Sequence, residues 1–328
     1  MKILVTGGAG FTGSFLARRL LHKGHKVTLI DNQPGHFFDE LKGLGAQILI
    51  GSVSDRELVW KAMQGCEIVH HLAAVFRRVN LPKPVYWDVN VEGTRNVLEA
   101  ALHQGVQKVV NCSTCGVHGD VKREPADENA PIAPEDYYQY TKYEAEKIIP
   151  EFVERGLKVL TLRPTAIYGP GDPARFFMLF KRVNTGRFPM FGDGRVHYHP
   201  LYIDNLVDAF ELAAASAKGD GEAYLIGDEH YCTLNELVST IAETLGVKLK
   251  VRHLPFWPLW TASLACELAY KPFPVDPPLF RRRVDWFRQN RAFSIQKAKR
   301  ELGYEPKVGL KEGLAQTAEW YRSRGYLS

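Results

Sequence analysis

The chain has 328 residues, 45% of them hydrophobic and 24% charged. That is the composition of an ordinary globular protein, and it excludes disordered, collagen-like and disulfide-scaffold chains. The 42 Lys and Arg against 37 Asp and Glu leave a net charge of +5, too dilute for a dedicated nucleic-acid binder; the expected partner is a small-molecule substrate, with no nucleic acid.

Apolar runs of strand length alternate with amphipathic segments of helix length. Strands are predicted at 2–6, 26–30, 46–50, 67–71, 107–112 and 157–163. Helices are predicted at 12–23, ended by Gly24, at 55–64 with Ser54 as N-cap, at 91–103 and at 137–155. Val-, Ile- and Leu-rich strands separated by helices indicate a parallel sheet covered on both faces, an α/β, doubly wound arrangement. Beyond about residue 164 the pattern loosens. Gly169-Pro170-Gly171, Phe188-Pro189, Gly192-Asp193-Gly194 and the prolines of 255–278 punctuate it, while 207–217, 234–245 and 310–321 still read as helices and 201–204 as a strand. The expected organisation is a nucleotide-binding Rossmann-type domain over 1–164, with parts of 195–228, and a smaller, irregular C-terminal substrate-binding lobe over most of 165–328.

The five cysteines, Cys66, Cys112, Cys115, Cys232 and Cys266, are an odd count that suggests reduced thiols and a cytoplasmic location. Only Ile3 to Val5 are apolar before Thr6-Gly7-Gly8, so no signal peptide is expected. The most apolar stretch, 254–270, contains Pro255, Pro258 and Glu267 and is short for a span, so no stable membrane insertion is expected. His197 and His199 stand two apart without an evident third ligand, and no metal is expected.

The first strand runs into Gly7-Gly8-Ala9-Gly10-Phe11-Thr12-Gly13. Glycines at 7, 10 and 13 let the backbone turn sharply and let a pyrophosphate approach the amides, and Phe11, Thr12 and Gly13 open a helix whose free N–H groups face it. A tight turn made for packing is the plainer alternative. Asp31 closes the second strand, where a carboxylate accepts both adenosine ribose hydroxyls and repels a 2′-phosphate. Asn32 follows it with no adjacent arginine. This favours NAD over NADP; a turn-capping aspartate is the alternative.

Two Tyr-x-x-x-Lys pairs occur, Tyr138 with Lys142 and Tyr143 with Lys147, and they point about 140° apart on a helix. Tyr138 stands at the helix start after the loop 131–136 and reaches a cleft at the strand ends, so Tyr138 and Lys142 are the chosen pair. A lysine ammonium favours the phenolate, which takes a proton from an alcohol or, as the phenol, returns it to a carbonyl. Ser113-Thr114, where the fifth strand ends, offers a hydroxyl to the same oxygen. The Cys112-x-x-Cys115 spacing flanking it is read as accidental.

With these motifs the chain resembles the extended short-chain dehydrogenase/reductases, the NAD-dependent epimerase/dehydratase family. The resemblance extends through His70-His71-Leu72-Ala73-Ala74, Asn90-Val91-Glu92-Gly93-Thr94, Leu162-Arg163-Pro164, Tyr168-Gly169-Pro170-Gly171, Lys297-Ala298 and Glu301-Leu302-Gly303-Tyr304-Glu305-Pro306. It implies Tyr138 as base, Lys142 as ribose clamp and Thr114 as the hydroxyl member. It implies further cofactor contacts from Ser52, Val53, Leu72, Ala73, Ala74, Asn90, Cys112, Pro164, Ala166 and Ile167, and substrate contacts from Thr165, Arg187, Tyr198 and Arg283. Sugar-nucleotide members usually carry asparagine where Ala166 stands and arginine where Tyr198-His199 stands. The aromatic stretch Pro255-Phe256-Trp257-Pro258-Leu259-Trp260, with Thr165 and Asn205, is similar to the 3β-hydroxysteroid dehydrogenase branch; it lines an apolar pocket, hugs a membrane surface, or packs the lobe. The resemblance implies a sugar-nucleotide epimerase or dehydratase first, a sterol-like dehydrogenase second, a non-catalytic NAD-binding regulator third, and a homodimer built on 91–103 and 137–155.

Overall fold

The computed structural model describes residues 1–76, 81–173, 175–273, 275 and 277–327. Six strands follow in chain order, β1 (Lys2–Thr6), β2 (Lys26–Asp31), β3 (Gln47–Ile50), β4 (Ile68–His71), β5 (Lys108–Cys112) and β6 (Val159–Pro164). After them come β7 (Ala166–Tyr168), β8 (Arg187–Phe191), β9 (His197–Tyr198), β10 (Pro200–Tyr202), β11 (Ala223–Ile226), β12 (Cys232–Thr233) and β13 (Lys250–Leu254). The central sheet has seven strands in the order β11-β6-β5-β4-β1-β2-β3, every pairing parallel. The strand order reverses between β1 and β4, the switch point where such sheets bind ligands at their carboxyl ends.

Alternation along β1 shows how both faces are covered. Ile3 and Val5 join a core with Leu16, Leu20, Leu206 and Phe210, under the helices Phe11–His22 and Ile203–Ala215. Leu4 points the other way, into a core with Val59, Met63, Val97, Leu98 and Phe152. A separate core, built on Phe176, Phe180, Leu237, Ile241, Leu314 and Tyr321, holds the C-terminal lobe. Asn205 joins lobe to sheet: its amide donates to Asp228 Oδ1 (2.8 Å) and the Val308 carbonyl (2.9 Å), and its oxygen accepts from the Lys307 and Val308 amides.

Four local expectations are corrected. The helix Arg56–Met63 is capped by Asp55, whose carboxylate accepts from the Leu58 amide, rather than by Ser54. The segment 137–155 is two helices, Tyr137–Lys147 and Ile149–Glu154. Pro150 has no N–H for the carbonyl of Glu146, so a continuous ladder is impossible there. The α-helix Gly93–His103 is preceded by a π-helical turn, Asp88–Glu92, that holds Asn90 and Val91. The strand expected at 201–204 is β10, which ends at Tyr202, and the next helix starts at Ile203.

Candidate active site

The loop after β1 is shaped by contact. Gly7 has φ +67°, and its amide donates to the Ile30 carbonyl (2.7 Å). A Cβ on Gly13 would lie 2.1 Å from the Gly7 carbonyl oxygen, and one on Gly7 would lie 2.8 Å from the Ala73 nitrogen, so neither position admits a side chain. Gly10 is the N-cap of the helix Phe11–His22 and offers no capping side chain. The first helical amides thus remain available to an anionic group. Asp31, at the end of β2, accepts from the Ala9 amide (2.9 Å) and the Gly10 amide (3.1 Å) through Oδ2. Burial pushes its carboxyl up, and these amides oppose the shift.

Behind the loop a buried polar chain links β1 to the helix Tyr137–Lys147. Thr6 Oγ1 bonds His71 Nδ1 (2.7 Å), and His71 Nε2 bonds Thr94 Oγ1 (2.9 Å). Thr94 donates to the Asn90 carbonyl (2.7 Å), the Asn90 amide to Thr141 Oγ1 (2.9 Å), and Thr141 to the Tyr138 carbonyl (3.0 Å). Asn90 Oδ1 also accepts from the Val75 amide (2.8 Å). Burial, with Lys142 nearby, lowers His71 to about 3, so the ring stays neutral within the chain. Asn90 is thereby a tie between the strand ends and the helix that carries Tyr138.

That helix is capped by Asp136, whose Oδ1 accepts from the Gln139 amide (2.8 Å). Tyr138 sits half-buried in its first turn, its ring 4.8 Å from that of Phe76. Arg282 bonds the other Asp136 oxygen (2.7 Å) and lies 5.5 Å over the Tyr138 ring and 5.6 Å over Phe76. One turn on, Lys142 is 1% exposed, and its Nζ has no hydrogen-bond partner among the described residues. Burial lowers its pKa against the pull of Cys112 and Glu146. The Ser113 hydroxyl is likewise buried and unpartnered, whereas Thr114 Oγ1 accepts from the Gly116 amide (3.1 Å). Cys112 and Cys115 are free, and burial holds both near 11, as thiols rather than thiolates. Lys147, of the second pair, is exposed and bound to Glu144 (2.6 Å).

The remaining predicted residues separate by place. Val53 is buried against Gly93, Ser52 bonds Ser54 (2.7 Å), Asn32 is exposed, and Leu72, Ala73 and Ala74 are partly buried beyond β4. Pro164 ends β6, Thr165 is buried, and Ala166 and Ile167 lie in β7, the Ala166 amide donating to the His199 carbonyl (3.0 Å). His197 faces Glu124, and His199 Nε2 faces the Asp228 carbonyl (2.8 Å). Tyr198 is buried, with Arg175 donating to its hydroxyl (3.1 Å). Arg187 is exposed on β8, and Arg283 is exposed, donating to the Pro278 carbonyl (2.7 Å). Sequence reasoning missed Arg282 and Phe76 beside Tyr138. The run Arg281-Arg282-Arg283 was the available signal, and it leaves the choice among three neighbours open.

A side-chain-free cradle at a helix N-terminus, a carboxylate at the end of β2 and an unpartnered buried ammonium fit a dinucleotide laid across the switch point. They define a Rossmann-type, NAD-dependent oxidoreductase. The chain belongs to the NAD dependent epimerase/dehydratase family, whose model matches residues 3–227. It is 31% identical to the N-acetyl-alpha-D-glucosaminyl-diphospho-ditrans,octacis-undecaprenol 4-epimerase of Escherichia coli O157:H7, over 78% of this chain and 76% of that one. It is 33% identical to 3beta-hydroxysteroid-dehydrogenase/decarboxylase isoform 1 of Arabidopsis thaliana, over 96% of this chain and 78% of the relative. Among solved structures it resembles the UDP-glucose 4-epimerase of Thermotoga maritima, crystallised with UDP-glucose, with a TM-score of 0.79 and 29% identity over 99% of each chain.

Proposed function

We propose that the chain interconverts a secondary alcohol and its ketone with Tyr138 as the proton-transfer group, Lys142 as the ribose clamp and Thr114, with Ser113, holding the substrate oxygen. The observation that carries this reading is the Lys142 ammonium, buried without a hydrogen-bond partner among the described residues, one helical turn from Tyr138. An unpaired buried charge is costly, and the hydroxyls of a bound nucleotide ribose give it acceptors. When bound, NAD supplies the acceptor and donor of hydride at the carbinol carbon. The Tyr138 phenolate, favoured by the neighbouring cation, removes the hydroxyl proton as the C–H electron pair leaves and the C=O bond forms; the reverse returns the proton from the phenol. Asp31 and the loop amides hold the adenosine and pyrophosphate end, with Ser52, Val53 and residues 72–74 at the adenine side.

For the substrate we favour a sugar carried on a diphosphate. The Escherichia coli relative acts on such a sugar and the Thermotoga maritima neighbour binds one. Arg282, whose guanidinium lies against the Tyr138 ring, supplies a cation at that mouth. One observation favours a second reading, an apolar hydroxy compound of the steroid type: the Phe76 ring against Tyr138, with Ala166 rather than an amide side chain at the start of β7. The chain is further read as a cytoplasmic homodimer, paired through the helices Gly93–His103 and Tyr137–Lys147, on which Tyr140 is exposed and stacked with Tyr137.

The test is Tyr138→Phe. The variant is expected to bind NAD as the wild type does and to lose turnover by roughly 10²-fold or more. Wild-type turnover by that variant removes the assignment. Native mass spectrometry of the purified chain separates the outcomes: retained NAD marks an internal redox cycle such as epimerisation or dehydration, and exchanging NAD marks a dehydrogenase.

A further inference from the structure

The helix Phe256–Tyr270 inverts the usual rule of burial. Its exposed positions are Trp257, Pro258, Thr261, Ala262, Ala265, Leu268 and Ala269. At 100° per residue these fall on one face of about 140°, and that face carries no charge. Trp257 is 73% exposed and Leu268 61%, and just beyond the helix Phe273 and Val275 are 57% and 53% exposed. The only charged residue of the helix, Glu267, lies on the opposite side, where it bonds Arg281 (2.8 Å). A contiguous apolar face left outside marks a contact surface.

Charge says what the surface meets. Residues 248–288 hold eight Lys or Arg and three Asp or Glu, an excess equal to the +5 of the whole chain. Lys250, Arg252 and His253 are exposed on the strand that leads into the helix, Lys271 is exposed at its end, and Arg281 and Arg283 are exposed beside it. An uncharged helical face with a protruding tryptophan, in a segment whose neighbouring residues expose several cations, suits the surface of an anionic membrane. At 15 residues it is about 22 Å long, short of the roughly 30 Å needed to span, and no described helix is long and apolar enough to cross a membrane.

We propose that this helix docks the enzyme on an anionic lipid surface. Trp257 and Leu268 enter the interface while Lys271, Arg283 and Arg252 face the headgroups. The placement has a consequence for the active site: Arg281 holds the helix through Glu267, and the next residue, Arg282, lies over the Tyr138 ring. Through these two neighbouring arginines the docking helix is tied to the segment that packs on Tyr138. The proposal stands apart from the choice of substrate, since its test reads binding to lipid and not turnover.

The test is sedimentation of the full chain with phosphatidylcholine vesicles, with and without about a third phosphatidylglycerol. The wild type is expected to sediment with the anionic vesicles, to be released by salt, and to stay in solution with the neutral ones. Trp257→Ser combined with Leu268→Ser is expected to bind the anionic vesicles about tenfold more weakly or worse, with NAD binding unchanged. A second measurement needs no variant: brominated lipid in the anionic vesicles is expected to quench wild-type tryptophan fluorescence. Absence of wild-type binding, equal binding by the double variant, or no quenching overturns the proposal. So does a wild-type dimer that ignores vesicles and that the double variant breaks, since the face then serves a second copy of the chain.

Discussion

Lys142 is a buried cation with no acceptor among the described residues, so its stability effect and its binding effect are expected to have opposite signs. Lys142→Met keeps the length of the stem and removes the charge. The cofactor-free protein is expected to gain about 1 kcal/mol or more, because an unpaired buried ammonium is replaced by an apolar chain of similar volume. The same variant is expected to lose most of the rise in melting temperature that NAD gives the wild type. Thermal unfolding with and without NAD reads both, and a fall in both temperatures together would mean that Lys142 only packs. Asp31 makes a parallel case. Its Oδ2 already holds the Ala9 and Gly10 amides, so the carboxylate shapes the loop, and the proposed function gives it the ribose as well. Asp31→Ala is expected to weaken NAD by about tenfold or more and to narrow the gap to NADP, read by calorimetric titration with each. An unchanged preference would leave Asp31 as a loop brace alone. These residues were legible in the sequence because each lies in a local pattern: a glycine spacing after a strand, an acid at a strand end, a tyrosine and lysine one turn apart. Arg282 was not legible, because its place over Tyr138 is set by a chain reversal more than a hundred residues downstream.

At the scale of elements, Arg163 of the Leu162-Arg163-Pro164 motif acts as a clamp. Arg163, on β6, donates from Nε and Nη2 to the Glu146 carboxylate, at 3.1 and 2.5 Å, and from Nη1 to His118 (3.1 Å). Arg163 and Glu146 are both nearly buried, and Glu146 lies one turn beyond Lys142 on the same helix. The pair thus fixes the helix Tyr137–Lys147 against the sheet. Glu146→Ala leaves a buried guanidinium with only His118 and is expected to cost roughly 3 kcal/mol. Denaturant unfolding checks the cost, and a loss under about 1 kcal/mol would show that water reaches Arg163 freely. Strand and helix order was legible because hydrophobic period is local. The break at Ile148 was missed, although Pro150 carries its signal. The seventh strand, β11, was not: Ala223–Ile226 is four residues long and becomes a strand only by pairing with β6.

Over the whole molecule, pH sets stability through groups the fold hides. Burial lowers His70 and His71 to about 3 and His199 to about 4, from a usual value near 6.5. A histidine whose folded pKa is depressed contributes stability that is complete above its unfolded value and lost as pH falls below it, because only the unfolded chain takes the proton. Asp228 works the other way. Burial raises it to about 7, against bonds from the Tyr202 amide and Asn205, so its contribution is complete at low pH and lost as pH rises toward 7. Between about pH 6 and 4 the unfolded chain therefore binds three protons at these groups and the native chain one, and acid destabilises. His70 is the cleanest probe. Its ring nitrogens have no hydrogen-bond partner among the described residues, it meets Phe210 edge-on at 5.7 Å, and burial is the whole cause of its shift. His70→Phe keeps the ring and removes one of the two net protons, so the slope these groups give should halve, a change of about 1.4 kcal/mol per pH unit. Urea unfolding at pH 6.5 and pH 5 should show the variant losing about 2 kcal/mol less than the wild type over that interval. Parallel losses in the two proteins would mean that His70 takes up its proton within the native fold, and that water reaches the sheet beneath the Ile203–Ala215 helix.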